Sequence, residues 1–476
     1  MNDAHPRPLN VHTTDIPGLL VIDLPVHGDE RGWFKENWQR ERMTALGLPD
    51  FGPVQQNISF NAEPGVTRGV HAEPWDKYVS VATGRVFGAW VDLRDGDTFG
   101  RVVTAEIDPG RAVYVPRGVG NAFQCLEPAA YTYLVNDHWS REATARYTFV
   151  QLGDPELGIE WPIPLEKAVL SQADRGHPPL ASANRFPAPR TLVLGAGGQL
   201  GRALLDAMPQ ALGLTRAQAD LADPASLDAI DLSGVGAIVN AAAYTAVDAA
   251  ETPEGRAEAW ATNVAGVAHL VQVARRHRLP LVHVSSDYVF DGTRERHDES
   301  EPFTPLGVYG QTKAAGDALV SAYERGYVVR TSWVVGDGGN FVATMASLAG
   351  RGISPSVVDD QHGRLTFTDD LAAGIVHLLA SSAAPGVYNL TNTGPTQTWA
   401  DIAEDVFELC GRTRDSVTRV SAAEYAAGKA MAPRPQHSTL TLDKLTAAGF
   451  TPAAARTRLE QYLDRHLNRT PDRDRD

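Results

Sequence analysis

The stretch Leu192-Val-Leu-Gly-Ala-Gly-Gly-Gln-Leu-Gly201 is a short apolar run followed by glycines at positions 195, 198 and 201. This pattern is typical of the first strand, turn and helix of a dinucleotide-binding fold, in which amides at the helix start hold a diphosphate. Such a unit usually opens its domain. Because it begins almost two-fifths of the way along the chain, we expect the preceding residues to form a separate domain.

Length, charge and cysteine usage indicate a cytoplasmic protein of two or three globular domains. The chain has 476 residues and a formal net charge of −15, which disfavours nucleic acid or an anionic membrane as a partner. Its two cysteines, Cys125 and Cys410, lie in different halves, so no disulfide framework is expected. We find no signal peptide and no stretch with the roughly 18 apolar residues of a membrane span.

Residues 1–176 are predicted to form an all-β, cupin-like jelly roll. Short β-branched and aromatic runs alternate with turn residues, and long helical periodicity is almost absent. Strands are expected at residues 78–91, 102–107, 112–116 and 130–135. Residues 177–190 contain four prolines and little periodicity, so they are predicted to be a semi-rigid linker.

Residues 191–467 are predicted to form an α/β Rossmann fold, a doubly wound parallel sheet with a small substrate-binding cap after Phe341. Apolar strands alternate with alanine-rich helices, as in parallel sheets. Strands are expected at 191–194, 237–240, 281–285 and 327–331, and helices near 199–208, 254–276 and 312–324. Residues 468–476 are predicted to be a disordered tail.

A tyrosine and a lysine four residues apart, Tyr309 and Lys313, predict the chemistry of the second domain. On a helix they share one face, and the ammonium is expected to lower the pKa of the phenol. The phenol can then exchange a proton while a nicotinamide moves hydride. Ser286, at the end of a predicted strand, can hydrogen-bond the same carbonyl oxygen.

Five segments give the second domain a resemblance to the extended short-chain dehydrogenase/reductase family, and within it to dTDP-4-dehydrorhamnose reductases. They are the glycine turn and residues 240–248, 285–292, 308–313 and 330–333. The resemblance implies that Ser286, Tyr309 and Lys313 are catalytic and that Trp333 lies in the nucleotide-sugar cleft. Residues 360–366 also match the family, with Leu365 where it usually has proline.

The cofactor implied is NADPH, with NADH as the alternative. Arg216 lies near the expected position of a ribose 2′-phosphate, which favours NADPH, and Asp220 follows the predicted second strand near the adenine. The cofactor contacts expected are Gly195, Gly198, Gln199, Leu200, Gly201, Arg216, Asp220, Ala241, Ala242, Tyr309 and Lys313. Family members can also bind Mg²⁺ through glutamates at a dimer contact, and no residues are assigned to that ion here.

A histidine between predicted strands, His71, is the candidate base of the first domain. A histidine with a pKa near neutral can remove a proton that an adjacent carbonyl makes acidic, and a nearby cation such as Lys77 can stabilise the enolate. Lone histidines are more often structural, so the residues alone leave both interpretations open. This half shows no metal-ligand spacing, and no metal is predicted.

The first domain resembles the dTDP-4-dehydrorhamnose 3,5-epimerases. The matching segments are residues 28–36, 54–59, 68–71, 91–94, 98–100, 114–118, 154–162 and 170–174. The resemblance implies that His71 is the base and that Asp174 orients it and stabilises its charged form. It also implies that Tyr133 is the acid on the opposite face of the sugar and that Lys77 stabilises the enolate oxygen.

The same resemblance predicts how the nucleotide is held. Arg31 and Arg68 are expected to bind the diphosphate, because guanidinium suits this bidentate task. The nucleotide pocket is expected to include Phe34, Glu36 and Asn57, with Trp139 where the family packs a tyrosine on the base, and Asn121 is expected to lie in the sugar pocket. Three departures from the family are a shortened loop between His71 and Lys77, Asn121 in place of histidine, and Trp139 in place of tyrosine.

Together the two resemblances imply consecutive steps on one dTDP-sugar, and hence a bifunctional, homodimeric enzyme of dTDP-L-rhamnose synthesis. Two alternatives stay open. In one, the chain inverts a single carbon and makes a different dTDP-deoxysugar. In the other, the first domain is a catalytically inactive binding or dimerisation module.

Overall fold

The computed structural model divides the chain into two compact units, Met1–Ala188 and Pro189–Asp476. It describes residues 7–381 and 383–468, with the side chains of 466–468 left out. The predicted tail, 468–476, lies outside the described residues apart from the backbone of residue 468. No helix in the part of the chain that the structure describes has both the length and the apolar character needed to cross a membrane.

The first unit is an antiparallel β-sandwich, which confirms the jelly-roll prediction. Its strands are β1 (Asn10–Thr13), β2 (Leu20–Asp23), β3 (His27–Asp29), β4 (Gly32–Phe34), β5 (Gln55–Asn61), β6 (Thr67–Ala72), β7 (Lys77–Thr83), β8 (Val86–Asp92), β9 (Val102–Ile107), β10 (Arg111–Val115), β11 (Val119–Cys125), β12 (Ala129–Val135) and β13 (Thr148–Phe149). Two short helices are α1 (Arg40–Ala45) and α2 (Gln172–Arg175). The sheets have the orders β1-β2-β10-β7-β12-β5 and β13-β6-β11-β8-β9, and β3 pairs with β4 as a hairpin.

Apolar side chains from the two sheets meet in one core. Val79 and Tyr131 come from the six-stranded sheet, and Trp90 and Phe123 from the five-stranded sheet. The predicted strand 78–91 is in fact the pair β7 and β8, because Gly84 turns the chain with φ +82°. A Cβ there would lie 2.1 Å from the carbonyl oxygen of Pro128, so only glycine fits this turn.

The proline-rich segment predicted as a linker packs against the first unit over most of its length. Leu180 and Phe186 are buried. The amide of Phe186 donates to Leu93 O, and the amide of Gln151 donates to Pro178 O at 2.8 Å. Prolines lack a donor but keep their carbonyls, so the segment can pair with a neighbouring strand while its two apolar side chains anchor it.

The second unit contains a six-stranded parallel sheet in the order β15-β14-β16-β17-β18-β23, which confirms the Rossmann prediction. These strands are β14 (Arg190–Leu194), β15 (Leu212–Leu214), β16 (Val235–Asn240), β17 (Leu281–Ser286), β18 (Gly326–Thr331) and β23 (Gly386–Asn389). The short strands are β19 (Val334–Val335), β20 (Ser356–Val358), β21 (His362–Gly363), β22 (Thr366–Phe367), β24 (Gln397–Thr398) and β25 (Thr418–Val420).

The helices of the second unit flank this sheet and build a cap. They are α3 (Gln199–Ala207), α4 (Pro224–Asp228), α5 (Pro253–Trp260), α6 (Val267–Arg276), α7 (Val308–Ser321), α8 (Phe341–Gly350), α9 (Thr368–Ala380), α10 (Trp399–Leu409), α11 (Ala422–Ala426), α12 (Asp443–Ala447) and α13 (Ala455–Asn468). A π-helical turn, Ala261–Gly266, joins α5 to α6 within the helix predicted at 254–276. The cap has its own apolar core, in which α8, α10 and α13 meet through Val342, Phe407 and Leu459.

Candidate active sites

In the first unit, His71 on β6 is paired with Asp174 on α2. His71 Nε2 lies 2.8 Å from Asp174 Oδ1, although 103 residues separate them. Ser171, the N-cap of α2, donates to Asp174 Oδ2 at 2.8 Å and fixes the carboxylate. Burial would raise the pKa of Asp174, but the hydrogen bonds from His71 and Ser171 outweigh it and hold that pKa below its ordinary value. The pair therefore leaves the other imidazole nitrogen, Nδ1, free to accept a proton.

Lys77 and Tyr133 lie together on neighbouring strands, β7 and β12. The Lys77 ammonium is 5.7 Å from the centroid of the Tyr133 ring. It is buried and forms an ion pair of 2.8 Å with Glu73, a residue that the sequence did not single out. Burial raises the pKa of Tyr133, and the Glu73 carboxylate adds to this effect. The phenol therefore keeps its proton, as a proton donor must.

Asn121 connects the strand of His71 with the sheet of Tyr133. It lies opposite His71 in the pairing of β11 with β6. Its Oδ1 accepts from Trp90 Nε1 at 2.9 Å and from the hydroxyl of Tyr131 at 3.1 Å. Tyr131 is two residues from Tyr133 on β12, so the asparagine links the two sheets by hydrogen bonds near Tyr133.

The structure also brings a third group to this pair, and the sequence spacing did not predict it. His177 lies edge-on to His71, with ring centroids 5.2 Å apart, and stacks on Phe149 at 4.8 Å. Ligand atoms of His71, Asp174 and His177 all lie within 4.8 Å of one another. Spacing could not show this cluster because it joins a strand to a helix far along the chain.

Most of the predicted nucleotide contacts are exposed. Arg31, at the turn between β3 and β4, pairs with Asp29 at 2.5 Å. Phe34 and Glu36 line a separate small pocket, and Glu36 forms an ion pair with Arg42. The structure does not place these two residues in one pocket with His71.

Three further predicted contacts lie near or on β5 and β6. The exposed Arg68 donates to Asn61 Oδ1 at 3.3 Å. Asn57 lies directly opposite Tyr133 in the strand pairing and accepts from Gln55 at 2.9 Å. Trp139 is 60% exposed, which leaves its indole free for a flat ligand.

In the second unit, the glycine turn has the geometry that a diphosphate requires. Gly195 has φ +78°, and Gly198 is the N-cap of α3. A Cβ on Gly201 would lie 2.1 Å from Gly195 O, so glycine lets α3 approach the strand closely. A Cβ on Gly195 would meet Ala242, which with Ala241 follows the end of β16. The amides at the start of α3 thus stay open to an anion.

The other predicted cofactor contacts lie around this turn. Gln199 and Leu200 open α3, and the Gln199 amide donates to Gly339 O at 3.0 Å. Arg216 follows β15 and is exposed, with its Nε 3.3 Å from Asp220 Oδ2. The Arg216 guanidinium is therefore exposed, and its ion pair with Asp220 is weakened by solvent.

Tyr309 and Lys313 both lie on α7, which begins earlier than predicted. The Lys313 ammonium is buried, donates to Val284 O at 2.7 Å and lies 3.3 Å from His283 Nε2. Burial lowers the pKa of Lys313 to about 8, although Asp317 opposes this shift. Burial, with the nearby Lys313 ammonium, holds the pKa of His283 well below its ordinary value.

The predicted lowering of the Tyr309 pKa is wrong in this structure. Burial raises the pKa of the phenol, and the Asp287 carboxylate adds to the rise, while the hydrogen bond with Ser286 opposes it. The Lys313 ammonium is directed to Val284 O. A four-residue spacing on a helix cannot show how deeply the two groups are buried.

Ser286, at the end of β17, begins a polar cluster beside Tyr309. Its hydroxyl donates to Asp287 Oδ1 at 2.9 Å. Burial raises the pKa of Asp287 to about 6, so this carboxyl is unusually easy to protonate. The ring of Tyr288 meets that of Tyr309 edge-on, with centroids 5.6 Å apart. Asp287 and Tyr288 belong to the matching segment 285–292, but only the structure shows them packed against the tyrosine.

A cavity of about 660 Å³ in the second unit is lined by Tyr288 and by residues of the cap. Trp399, at the start of α10, forms part of its wall. The half-buried ring of Trp333, which was predicted to lie in the cleft, stacks on that of Trp399 with ring centroids 3.8 Å apart. A Cβ on Gly363 would lie 2.7 Å from the Trp333 indole, so glycine lets β21 approach the ring closely.

One edge of the cavity is closed by the segment around Arg434. Asp248 accepts from the amide of Ala432 at 2.9 Å and from Arg434 at 3.0 Å. These hydrogen bonds hold the pKa of Asp248 below its ordinary value. The sequence contains no signal for Trp399 and Arg434, because the segments that line the cavity are far apart along the chain.

Comparisons with known proteins divide the chain at the same place. The family described as "dTDP-4-dehydrorhamnose 3,5-epimerase" matches residues 13–182, and the family described as "RmlD substrate binding domain" matches residues 189–468. A "Protein RmlC homolog" of Streptococcus pyogenes serotype M6 is 53% identical over 173 residues, which are 35% of this chain and 87% of that protein. The chain is a fusion of these two families.

Relatives of the reductase domain agree. A dTDP-4-dehydrorhamnose reductase of Streptomyces griseus is 41% identical over 280 residues, which are 56% of this chain and 90% of that protein. The crystal structure of a dTDP-4-dehydrorhamnose reductase from Bacillus anthracis in complex with NADP is 30% identical. It covers 58% of this chain and 98% of its own, with a TM-score of 0.54.

Among the residues that the structure describes, His71, Asp174 and His177 in the first unit are the group of three or more His, Cys, Asp or Glu that could hold an ion. The described residues of the reductase domain show no such group.

Proposed function

We propose that the chain makes dTDP-L-rhamnose from dTDP-4-dehydro-6-deoxy-D-glucose, by 3,5-epimerisation followed by NADPH-dependent reduction at C4′. The observation behind this proposal is that one chain contains both domains. His71 is bonded to Asp174 in the first domain. Tyr309, Ser286 and Lys313 lie around the end of β17 in the second.

The epimerase chemistry is proton exchange beside a ketone. The C4′ carbonyl makes the hydrogens at C3′ and C5′ acidic, and His71 Nδ1 removes one of them. Asp174, kept ionised by its hydrogen bonds, stabilises the imidazolium that forms. Lys77 stabilises the enolate oxygen, and Tyr133 returns a proton from the opposite face. Exchange at both carbons gives the L-lyxo sugar.

The reductase chemistry is hydride transfer to the same carbonyl. NADPH, when bound, supplies the hydride. The start of α3 binds its diphosphate, Ser286 hydrogen-bonds the C4′ oxygen, and Tyr309 donates the proton. Lys313, positively charged below its lowered pKa, stabilises the phenolate that remains. The cavity beside Tyr288 and Trp399 takes the dTDP-sugar.

The alternative of a single epimerisation has one structural observation behind it. Asn121, where the family commonly has histidine, is locked by Trp90 and Tyr131 and reshapes the sugar pocket. Incubation of the chain with the 4-keto substrate in D₂O distinguishes the two reactions. Deuterium at both C3′ and C5′ supports the double epimerase, and deuterium at one carbon supports a different deoxysugar. NMR of the product after NADPH is added then identifies the sugar.

We further propose that the enzyme is a cytoplasmic homodimer. Its two cysteines are free thiols, as expected in a reducing compartment. The resemblance to epimerases that dimerise through the jelly roll supports the dimer, and light scattering of the purified chain tests it.

Arg216 is expected to set the preference for NADPH. Arg216→Ala should raise the KM for NADPH by about tenfold, with a much smaller change for NADH, because a charge-assisted contact to the 2′-phosphate is worth about 1.5 kcal/mol or more. Steady-state kinetics with both cofactors measures this. Arg276→Ala, which changes an exposed arginine at the end of α6, is the control. Equal KM changes for the two cofactors would remove Arg216 from this role.

Reductase activity is expected to fall as the pH rises through about 8. Lys313 has its pKa lowered to about 8 in the free protein, so its charge is present below that pH and lost above it. A group of the free enzyme shows in kcat/KM, so this parameter should decline on the alkaline side. The pH profile of NADPH oxidation checks this. In the Lys313→Met variant, kcat/KM should no longer decline on the alkaline side. A flat profile from pH 7 to 9.5 contradicts it.

A further inference from the structure

His177 is a half-buried imidazole that the epimerase chemistry leaves unused. It follows α2 by two residues, so the same turn of chain that positions Asp174 also positions His177. Its ring stacks on Phe149. Its Nδ1 is buried and has no hydrogen-bond partner. A buried ring nitrogen without a partner is costly, which points to a ligand for it.

The three side chains have the donor set and the spacing of a divalent-cation site. His71 Nε2 and Asp174 Oδ1 are 2.8 Å apart, and ligand atoms of all three residues lie within 4.8 Å. Zinc binds imidazole nitrogen and carboxylate oxygen at about 2.0–2.2 Å in a tetrahedron, which places neighbouring ligand atoms about 3.3 Å apart. Side-chain movements of at most about 1.5 Å bring the trio to that geometry.

The surroundings orient these ligands as a metal site requires. Ser171 Oγ donates to Asp174 Oδ2 and leaves Oδ1 directed at His71. The stacking of His177 on Phe149 fixes the plane of its ring. Outer contacts of this kind hold ligands in place and strengthen metal binding. The His71 side chain is 32% exposed, so the fourth position is open to water.

We propose that His71, Asp174 and His177 bind a zinc-like divalent cation that inhibits the epimerase domain. The inhibition, though not the binding, rests on the proposed function, because His71 is the base of that reaction. The cation takes the place of the hydrogen between His71 Nε2 and Asp174. A neutral imidazole that binds a metal through Nε2 carries its hydrogen on Nδ1, so Nδ1 no longer accepts a proton from the sugar.

Binding is tested on the full chain with Zn²⁺ alone, by competition with a fluorescent chelator. His177→Phe keeps the stacking on Phe149 but removes the ligand, and His177→Asn removes the ring. Both should weaken the tightest Zn²⁺ site by at least about tenfold. The exposed His138 in the same domain provides the control, and His138→Asn should bind like the unaltered chain. Equal affinity in the unaltered chain and both His177 variants would overturn the site.

Inhibition is tested by deuterium uptake into the 4-keto substrate without NADPH. The rate of each chain is compared with the rate of the same chain in the presence of a chelator. Zn²⁺ should stop deuterium uptake by the unaltered chain at concentrations that leave both His177 variants active. Equal sensitivity of all chains would contradict inhibition through this site. If the unaltered chain takes up no deuterium even without Zn²⁺, the proposed function fails, while the chelator measurement still decides the binding site.

Discussion

His71→Ala is expected to lower the rate of deuterium uptake at C3′ and C5′ by about 10²- to 10⁴-fold, the contribution typical of a positioned general base. Alanine removes the imidazole that would accept the proton and leaves Asp174 with the hydroxyl of Ser171 as its side-chain partner. Formation of dTDP-L-rhamnose from the 4-keto substrate should fall by the same factor. NMR measures the uptake, and NADPH oxidation measures the coupled reaction.

Two controls keep this result specific to the first domain. When a separate epimerase supplies the epimerised keto sugar, the His71→Ala variant should convert this sugar to dTDP-L-rhamnose at the rate of the unaltered chain. His138→Ala should change neither rate. Unchanged dTDP-L-rhamnose output from His71→Ala alone would mean that the first domain is a binding or dimerisation module.

Tyr309→Phe is expected to lower the rate of reduction at C4′ by about 10²- to 10⁴-fold, while deuterium uptake at C3′ and C5′ continues. Phenylalanine keeps the packing against Tyr288 but has no proton to donate to the developing alkoxide. The epimerised keto sugar should therefore accumulate. Single-turnover NADPH oxidation and NMR of the reaction mixture measure the two outcomes together.

Tyr327→Phe is the matched control for this change. Its hydroxyl donates to Ala383 O at 3.0 Å, so the substitution removes a phenol of the same domain that does not belong to the site. Tyr327→Phe should bind NADPH and reduce the keto sugar like the unaltered chain. Full reduction by Tyr309→Phe would show that another group donates the proton.

The sequence predicted elements well where the signal is local. The glycine turn depends on the close approach of Gly201 to Gly195 within a few residues, and the alternation along β9 reports burial directly. The boundary between β7 and β8 was missed, because one glycine in an apolar run resembles a continuous strand. The segment 177–190 was predicted to be a linker because of its prolines. In the structure its apolar side chains Leu180 and Phe186 are buried.

The sites were predictable only in part, because their chemistry depends on burial and on distant contacts. Resemblance, not spacing, joined His71 to Asp174, and neither revealed His177. The direction of the Tyr309 pKa was wrong because spacing says nothing about desolvation. Trp399 was missed because the family resemblance in segment 330–333 includes Trp333, the ring on which Trp399 stacks. The cleft position was therefore assigned to Trp333.

The fusion of the two domains fixes their ratio at one to one. Since Phe186 is packed in the first domain and β14 begins at Arg190, only residues 187–189 join them, and one message produces both activities in equal numbers. Changes in expression therefore scale both steps equally and cannot by themselves cause the keto sugar to accumulate. The balance between its formation and its removal is then set by the turnover numbers of the two sites alone.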